Sequence, residues 1–276
     1  FTVLFYAQSN FFLPNLIMGI LNLGLCAFIY ISATDINVYN KIVDAYFIVM
    51  LLQGILLALA FVLKNKSYTS FALPNKSEMR QLLKYSLVAL AGNLVFFFVY
   101  RIDYWFVRYN TNSCTSEDLG NYIQASKMGQ LLLVIPQIMA SAIFPQTASG
   151  AFRGDVNKSM LVLFRLFLIV FAVAMLVVAL LGNWLFTFVF GNSFNNVTIP
   201  LILLLPGIFG IAVLVLLSAY FSGKGKVSIN VKGAALALIV VVIGDIIFIP
   251  KYGIYAAAFV SAIAYFVNLS YALWHF

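Results

Sequence analysis

The stretch Tyr85–Arg108, YSLVALAGNLVFFFVYRIDYWFVR, decides how this chain is read. It is long and apolar enough for a membrane-spanning helix, yet it carries Arg101 and Asp103. The stretch that returns from it, Gly120–Ala148, reads as a second spanning helix and carries Lys127. A charge inside a hydrocarbon slab is costly. Such residues face a bundle interior or a watery cavity, and they mark pathways for ligands and ions.

The rest of the chain follows the same pattern. Of its 276 residues, 64% are hydrophobic and 9% charged, whereas a soluble domain carries roughly 25% charged residues. A membrane-spanning backbone must satisfy its own hydrogen bonds as helices or as a closed barrel. A barrel shows short segments of alternating polarity, and the apolar runs here are long and continuous. The expected fold class is therefore all-α, a polytopic transmembrane bundle of about eight spans: Phe11–Ser32, Val43–Leu63, Tyr85–Arg108, Gly120–Ala148, Met160–Phe190, Ile199–Phe221, Ile229–Ile249 and Ile254–Trp274. Pro136 and Pro206 fall inside spans and predict kinks, because proline lacks a donor and clashes with the preceding turn. Gly253, Ala257 and Ser261 form a ridge of small residues that predicts close helix packing.

Lysine and arginine set the expected orientation. Lys64, Lys66, Lys76, Arg80 and Lys84 share one connection; Arg153, Lys158 and Arg165 mark another, and Lys224, Lys226 and Lys232 a third. By the positive-inside rule these connections are cytoplasmic, which also puts both ends of this chain on the cytoplasmic side. The formal net charge of +8 is accounted for in this way, with no motif for binding nucleic acid. The long basic connection divides the chain into residues 1–64 with two helices, a cytoplasmic linker over 65–84, and residues 85–276 with six helices. Phe1 opens in mid-pattern, so the expectation is a C-terminal part of a longer protein.

Enzymatic chemistry finds little footing. The one histidine, His275, is next to the end, and no Cys and His cluster has the spacing of a zinc site. The turn Ser222-Gly223-Lys224-Gly225-Lys226 lacks both the strand and the spacing of a phosphate-binding loop. Cys26 lies in an apolar run and Cys114 in a loop, which argues against a disulfide framework. No enzyme activity, cofactor or metal site is expected.

The spanning charges carry the functional reading. Arg101 lies thirteen residues before Cys114 and Lys127 thirteen after it, so each is placed roughly 10 Å inside the outer helix ends. Two cations at matched depth on neighbouring helices make an anion site. Asp103 points away from Arg101, with Lys127 as its alternative partner. Gly120, Gln124, Lys127, Gln130, Gln137 and Ser141 share one broad side of their helix, and Asn93 and Tyr100 add polar groups on the preceding span. This suits a wet lumen wall. The competing structural reading is that Arg101 and Lys127 snorkel to the interface or pair with other helices. Asp245, near Lys251, reads as interfacial.

Arg101-x-Asp103, an acidic loop, Gly120-x-Tyr122-x-x-Ala125 and then Pro145 form an ordered series. With the hairpin Ile249-Pro250-Lys251-Tyr252-Gly253-Ile254 and the Gly223-Lys224-Gly225 turn, it resembles the polysaccharide transporter branch of the multidrug/oligosaccharidyl-lipid/polysaccharide exporters, which includes the Wzx-type O-antigen and capsule repeat-unit flippases. The resemblance implies two six-helix lobes around a cavity, of which this chain would hold the last two helices of one lobe and all of the other. It implies transport of undecaprenyl-pyrophosphate-linked oligosaccharide across the bacterial cytoplasmic membrane by alternating access, with membrane lipids and polysaccharide polymerase machinery as partners. A coupling cation, H+ or Na+, is a further expected partner. Arg101 and Lys127 would hold the anionic group, with Asp103, Asn93, Tyr100 and Gln124 around it. Two alternatives stay open: a multidrug exporter of the same superfamily, and a membrane glycosyltransferase or polymerase acting on lipid-linked sugars.

Overall fold

Each apolar run long enough for a span forms helix. The computed structural model describes residues 2–7, 10, 12–32, 38–65, 75–110, 112–148 and 156–276. Among them are no strands, and the chain is all-helical. The helices are α1 (Thr2–Ala7), α2 (Phe12–Ser32), α3 (Val38–Lys64), α4 (Lys76–Tyr109), α5 (Ser116–Leu131), α6 (Val134–Ala148), α7 (Val156–Phe190), α8 (Thr198–Gly223) and α9 (Val227–His275), with a 3-10 turn at Asn192–Phe194 before α8. Six of these are long and apolar enough to cross a membrane, or seven if the bent pair α5 and α6 is one span. That is the character of a multi-pass membrane protein.

The long helix α9 contains two of the expected spans. Its backbone breaks at Gly253, where φ is +59°, a conformation glycine adopts without steric cost. The break is a reversal. Gly244 and Val260 would stand about 24 Å apart on a straight helix, yet a Cβ built on Gly244 would lie 2.5 Å from Val260 Cγ1. Gly233 likewise faces Asn268 and Tyr271. The two halves of α9 therefore run antiparallel, closing on small residues. Ser113 Oγ donates to the Pro250 carbonyl at 2.5 Å and ties this turn to the loop between α4 and α5.

The expected kink at Pro136 falls one turn earlier. The helix breaks at Leu132 and Leu133, with 47° between α5 and α6. Proline's ring clashes with the carbonyl four residues before it, which here belongs to Leu132; Pro136 itself sits in the first turn of α6, where no intrahelical donor is needed. Pro206, by contrast, lies within an uninterrupted α8.

The chain forms two compact units, residues 1–75 and 76–276. In the first, α2 packs on α3, with Gln53 Nε2 donating to Asn22 Oδ1 at 2.9 Å and the Phe5 ring edge-on to Phe61. In the second, α8 is the hub, packed by α5, α6, α7 and α9, while α4 packs along α9. A Cβ on Gly207 of α8 would come within 2.5 Å of Ala262 Cα, so the two backbones touch where glycine leaves room. The linker expected over 65–84 is partly described: residues 66–74 lie outside the described residues, and α4 already begins at Lys76.

Candidate functional site

The site lies where α4, α5 and both halves of α9 meet, inside the second unit. Asp103 is 1% exposed. Its carboxylate accepts from Tyr122 Oη of α5 at 2.5 Å, from Ser261 Oγ of α9 at 3.2 Å, and from its neighbour's backbone, Tyr104 N, at 2.8 Å. Three donors from three helices thus converge on one carboxylate, which satisfies most of its acceptor capacity. The Tyr104 ring stands edge-on to Tyr122, and the Tyr100 ring lies 5.4 Å from that of Tyr265. The result is an aromatic, hydroxyl-bearing pocket around an acid.

A second acid lies within electrostatic reach of the first. Asp245 is 1% exposed, and neither of its carboxylate oxygens has a hydrogen-bond partner. The expectation of an interfacial Asp245 is overturned. Ala237, Val241, Asp245 and Ile249 recur every four residues and are all buried, so they form the inward face of the first half of α9. The reversal at Gly253 then presses that face against its own second half and α4. A buried carboxylate with no donor is energetically expensive, and this one feels the charge of another carboxylate.

Arg101 lies half-buried on α4, at the edge of this cluster and within electrostatic reach of Asp103. Its Nη1 donates to Tyr104 Oη at 3.0 Å, and its guanidinium lies 5.2 Å from the centroid of that ring. It lines two grooves. One, of about 320 Å³, also includes Tyr100, Gln130 and Gln137; the other, of about 590 Å³, runs along α4 and α5 past Arg108. Lys127 is exposed and lines neither. The two expected cations therefore do not share a groove. The expected pairing of Asp103 with Lys127 is also absent, because Asp103 turns toward the inward face of α5, formed by Asn121, Tyr122, Ala125, Ser126 and Gly129. Gln124 is half-buried on the flank of that face and lines none of these grooves. Asn93 is exposed and lines a separate groove of about 340 Å³ with Asn230, Asn268, Ser218 and Ser222.

The acids of the connecting loop have a local role. Thr115 caps α5: Asp118 N donates to Thr115 Oγ1 at 3.1 Å, and Thr115 N donates to Asp118 Oδ2 at 2.9 Å. This reciprocal box satisfies two orphan donors. Beside it, burial and then the Asp118 charge push the Cys114 thiol above its ordinary range.

Among the described residues, no cluster of three His, Cys, Asp or Glu side chains could hold a metal ion. No protein-family model, no curated protein and no solved structure matches this chain.

Proposed function

We propose that this chain belongs to a cation-coupled transporter of lipid-linked, undecaprenyl-pyrophosphate-borne oligosaccharide in the bacterial cytoplasmic membrane. The observation that carries the transport reading is the pair of buried acids, Asp103 and Asp245, the second without any hydrogen-bond partner. Ionisable groups enclosed among spanning helices mark ion and proton pathways. A proton or an alkali cation taken up beside Asp245 relieves the cost of its bare carboxylate. Because three helices converge on Asp103, occupancy biases how α4, α5 and α9 pack together, and that is how a bound cation is coupled to movement.

The substrate class rests on the motif resemblance and on Arg101, whose guanidinium lines two grooves and suits a phosphate oxygen. The basic loops on the cytoplasmic side, alternating access and the polymerase partner follow from the same reading. The test is complementation in a flippase-deficient bacterium. Arg101→Ala and Asp245→Asn should each abolish surface polymer while leaving membrane levels of the protein intact. Normal polymer output from both variants would overturn the reading.

A multidrug exporter is the second reading, and one observation favours it: among the described residues, the fully buried charged side chains, Asp103 and Asp245, are both acidic. An acidic interior suits cationic substrates. Extrusion of ethidium that is lost in Asp245→Asn, with no polymer rescue, would select it.

A further inference from the structure

We infer that the groove between α4 and α5 is a binding site for a phosphate-bearing lipid, with Arg101 and Arg108 on the phosphate and the aromatic wall along the chain. The groove has a volume of about 590 Å³. Phe97, Arg101, Trp105 and Arg108 follow one another on α4 at spacings of four and three, and Leu119 and Ile123 form the opposite wall on α5. This periodicity makes one continuous stripe. The two guanidinium groups are seven residues apart, hence on the same face and about 10 Å apart along the axis.

The charge on this stripe is only partly answered among the described residues: Asp103 lies within electrostatic reach of Arg101 but does not pair with it. Neither arginine makes an ion pair with a described residue, and Arg101 uses one of its N–H groups on Tyr104. A guanidinium carries five donors, so the larger part of its capacity points to an anion from elsewhere. Simple snorkelling explains Arg108, which stands at the helix end. It does not explain Arg101, seven residues and about 10 Å further in, where Tyr104 fixes the guanidinium against the groove.

The walls select a lipid over a free anion. Phe97 is 56% exposed and Trp105 68% exposed, and both lie on a helix apolar enough to cross a membrane. Exposed aromatic side chains on such a helix suit acyl or prenyl chains. An anion that reaches Arg101 along such a wall is best carried on an apolar chain. The inference shares Arg101 with the transport reading, but Arg108, Leu119 and Ile123 belong to it alone.

The full chain in phosphatidylcholine nanodiscs tests it, with chain-labelled phosphatidic acid followed by the immobilised fraction of its spin label. Phosphatidic acid should bind at least tenfold tighter than phosphatidylcholine bearing the same label. Arg108→Gln should weaken it about tenfold, the order of one charge-assisted hydrogen bond. Leu119→Trp, which fills the slot without touching charge, should displace the label while the protein stays monodisperse. Millimolar inorganic phosphate should not compete. Equal binding of the two lipids, an unchanged Arg108→Gln, or displacement by inorganic phosphate at the lipid's own affinity would each overturn the inference. Lipid binding that survives in a protein unable to restore polymer leaves the groove standing and removes the transport reading. Polymer restored by a protein that ignores phosphatidic acid does the reverse.

Discussion

The helices α3 and α8 are apolar to a similar degree, yet two chains of events follow from them. The most apolar window of α8 is 67% buried, that of α3 6%. The difference is carried by small residues. Gly207 brings α8 against the backbone of Ala262, and Gly129 of α5 receives Ile208 from α8. Gly54 of α3 has nothing within 4 Å of where its Cβ would be. Hydropathy states only that a helix is comfortable in lipid. Between helices in lipid there is no hydrophobic drive to associate, so close packing and polar contacts decide which helix becomes a core.

The sharpest way to break this comparison is to fill the close approaches. Gly207→Leu should remove the folded population of the second unit, while Gly54→Leu should leave thermal stability unchanged in detergent. Even Gly207→Ala should cost about 1–3 kcal/mol, the range for overpacking a tight contact. Equal tolerance at both glycines would mean that burial in α8 is incidental.

The next largest effect should separate the two acids. Asp103→Ala leaves the Tyr122 and Ser261 hydroxyls without their acceptor, at a cost of about 1–3 kcal/mol. Asp245→Leu removes a carboxylate that has no donor, so it should be neutral or stabilising in denaturation while abolishing any stabilisation by added Na+. A destabilised Asp245→Leu protein would show that Asp245 has a structural partner. Tyr122→Phe should be milder, about 0.6–1.7 kcal/mol, the range measured for interhelical hydrogen bonds in membranes. Thr115→Ala should cost about 1 kcal/mol through the lost cap, read as faster hydrogen exchange in the first turn of α5.

The smallest effect concerns Cys114. Its raised thiol means that thiolate is scarce near neutral pH. Maleimide labelling should still be climbing with pH above about 8.5, where an ordinary cysteine is already half ionised. A labelling rate that has levelled off by then would show that the loop does not bury the thiol.

Much of the architecture is legible in the sequence. The run lengths placed the long helices, though not the short α1, Pro136 signalled a break to within a turn, and Gly253-Ala257-Ser261 marked a face that is now buried against α4 and its loop. The site was only half legible. Asp103 stands out as a charge in an apolar run, but matched depth pairs Arg101 with Lys127 without fixing which face of each helix carries them, and Lys127 turns out to be exposed away from both grooves. Asp245 was missed although the buried four-residue repeat through Ala237, Val241 and Ile249 held its signal. Its nearness to Lys251 in sequence outweighed that pattern.

Sequence by itself determined that this chain is helical, that its helices are compatible with a bilayer, and which few charges lie among apolar residues, because hydropathy and period are local properties. Tertiary structure alone decided that Asp103 gathers donors from α5 and α9, and that Asp245 is enclosed within electrostatic reach of it. Those outcomes depend on which helix faces touch, and in an apolar surrounding that is settled by the fit of small residues across a gap, a relation between positions far apart in the chain.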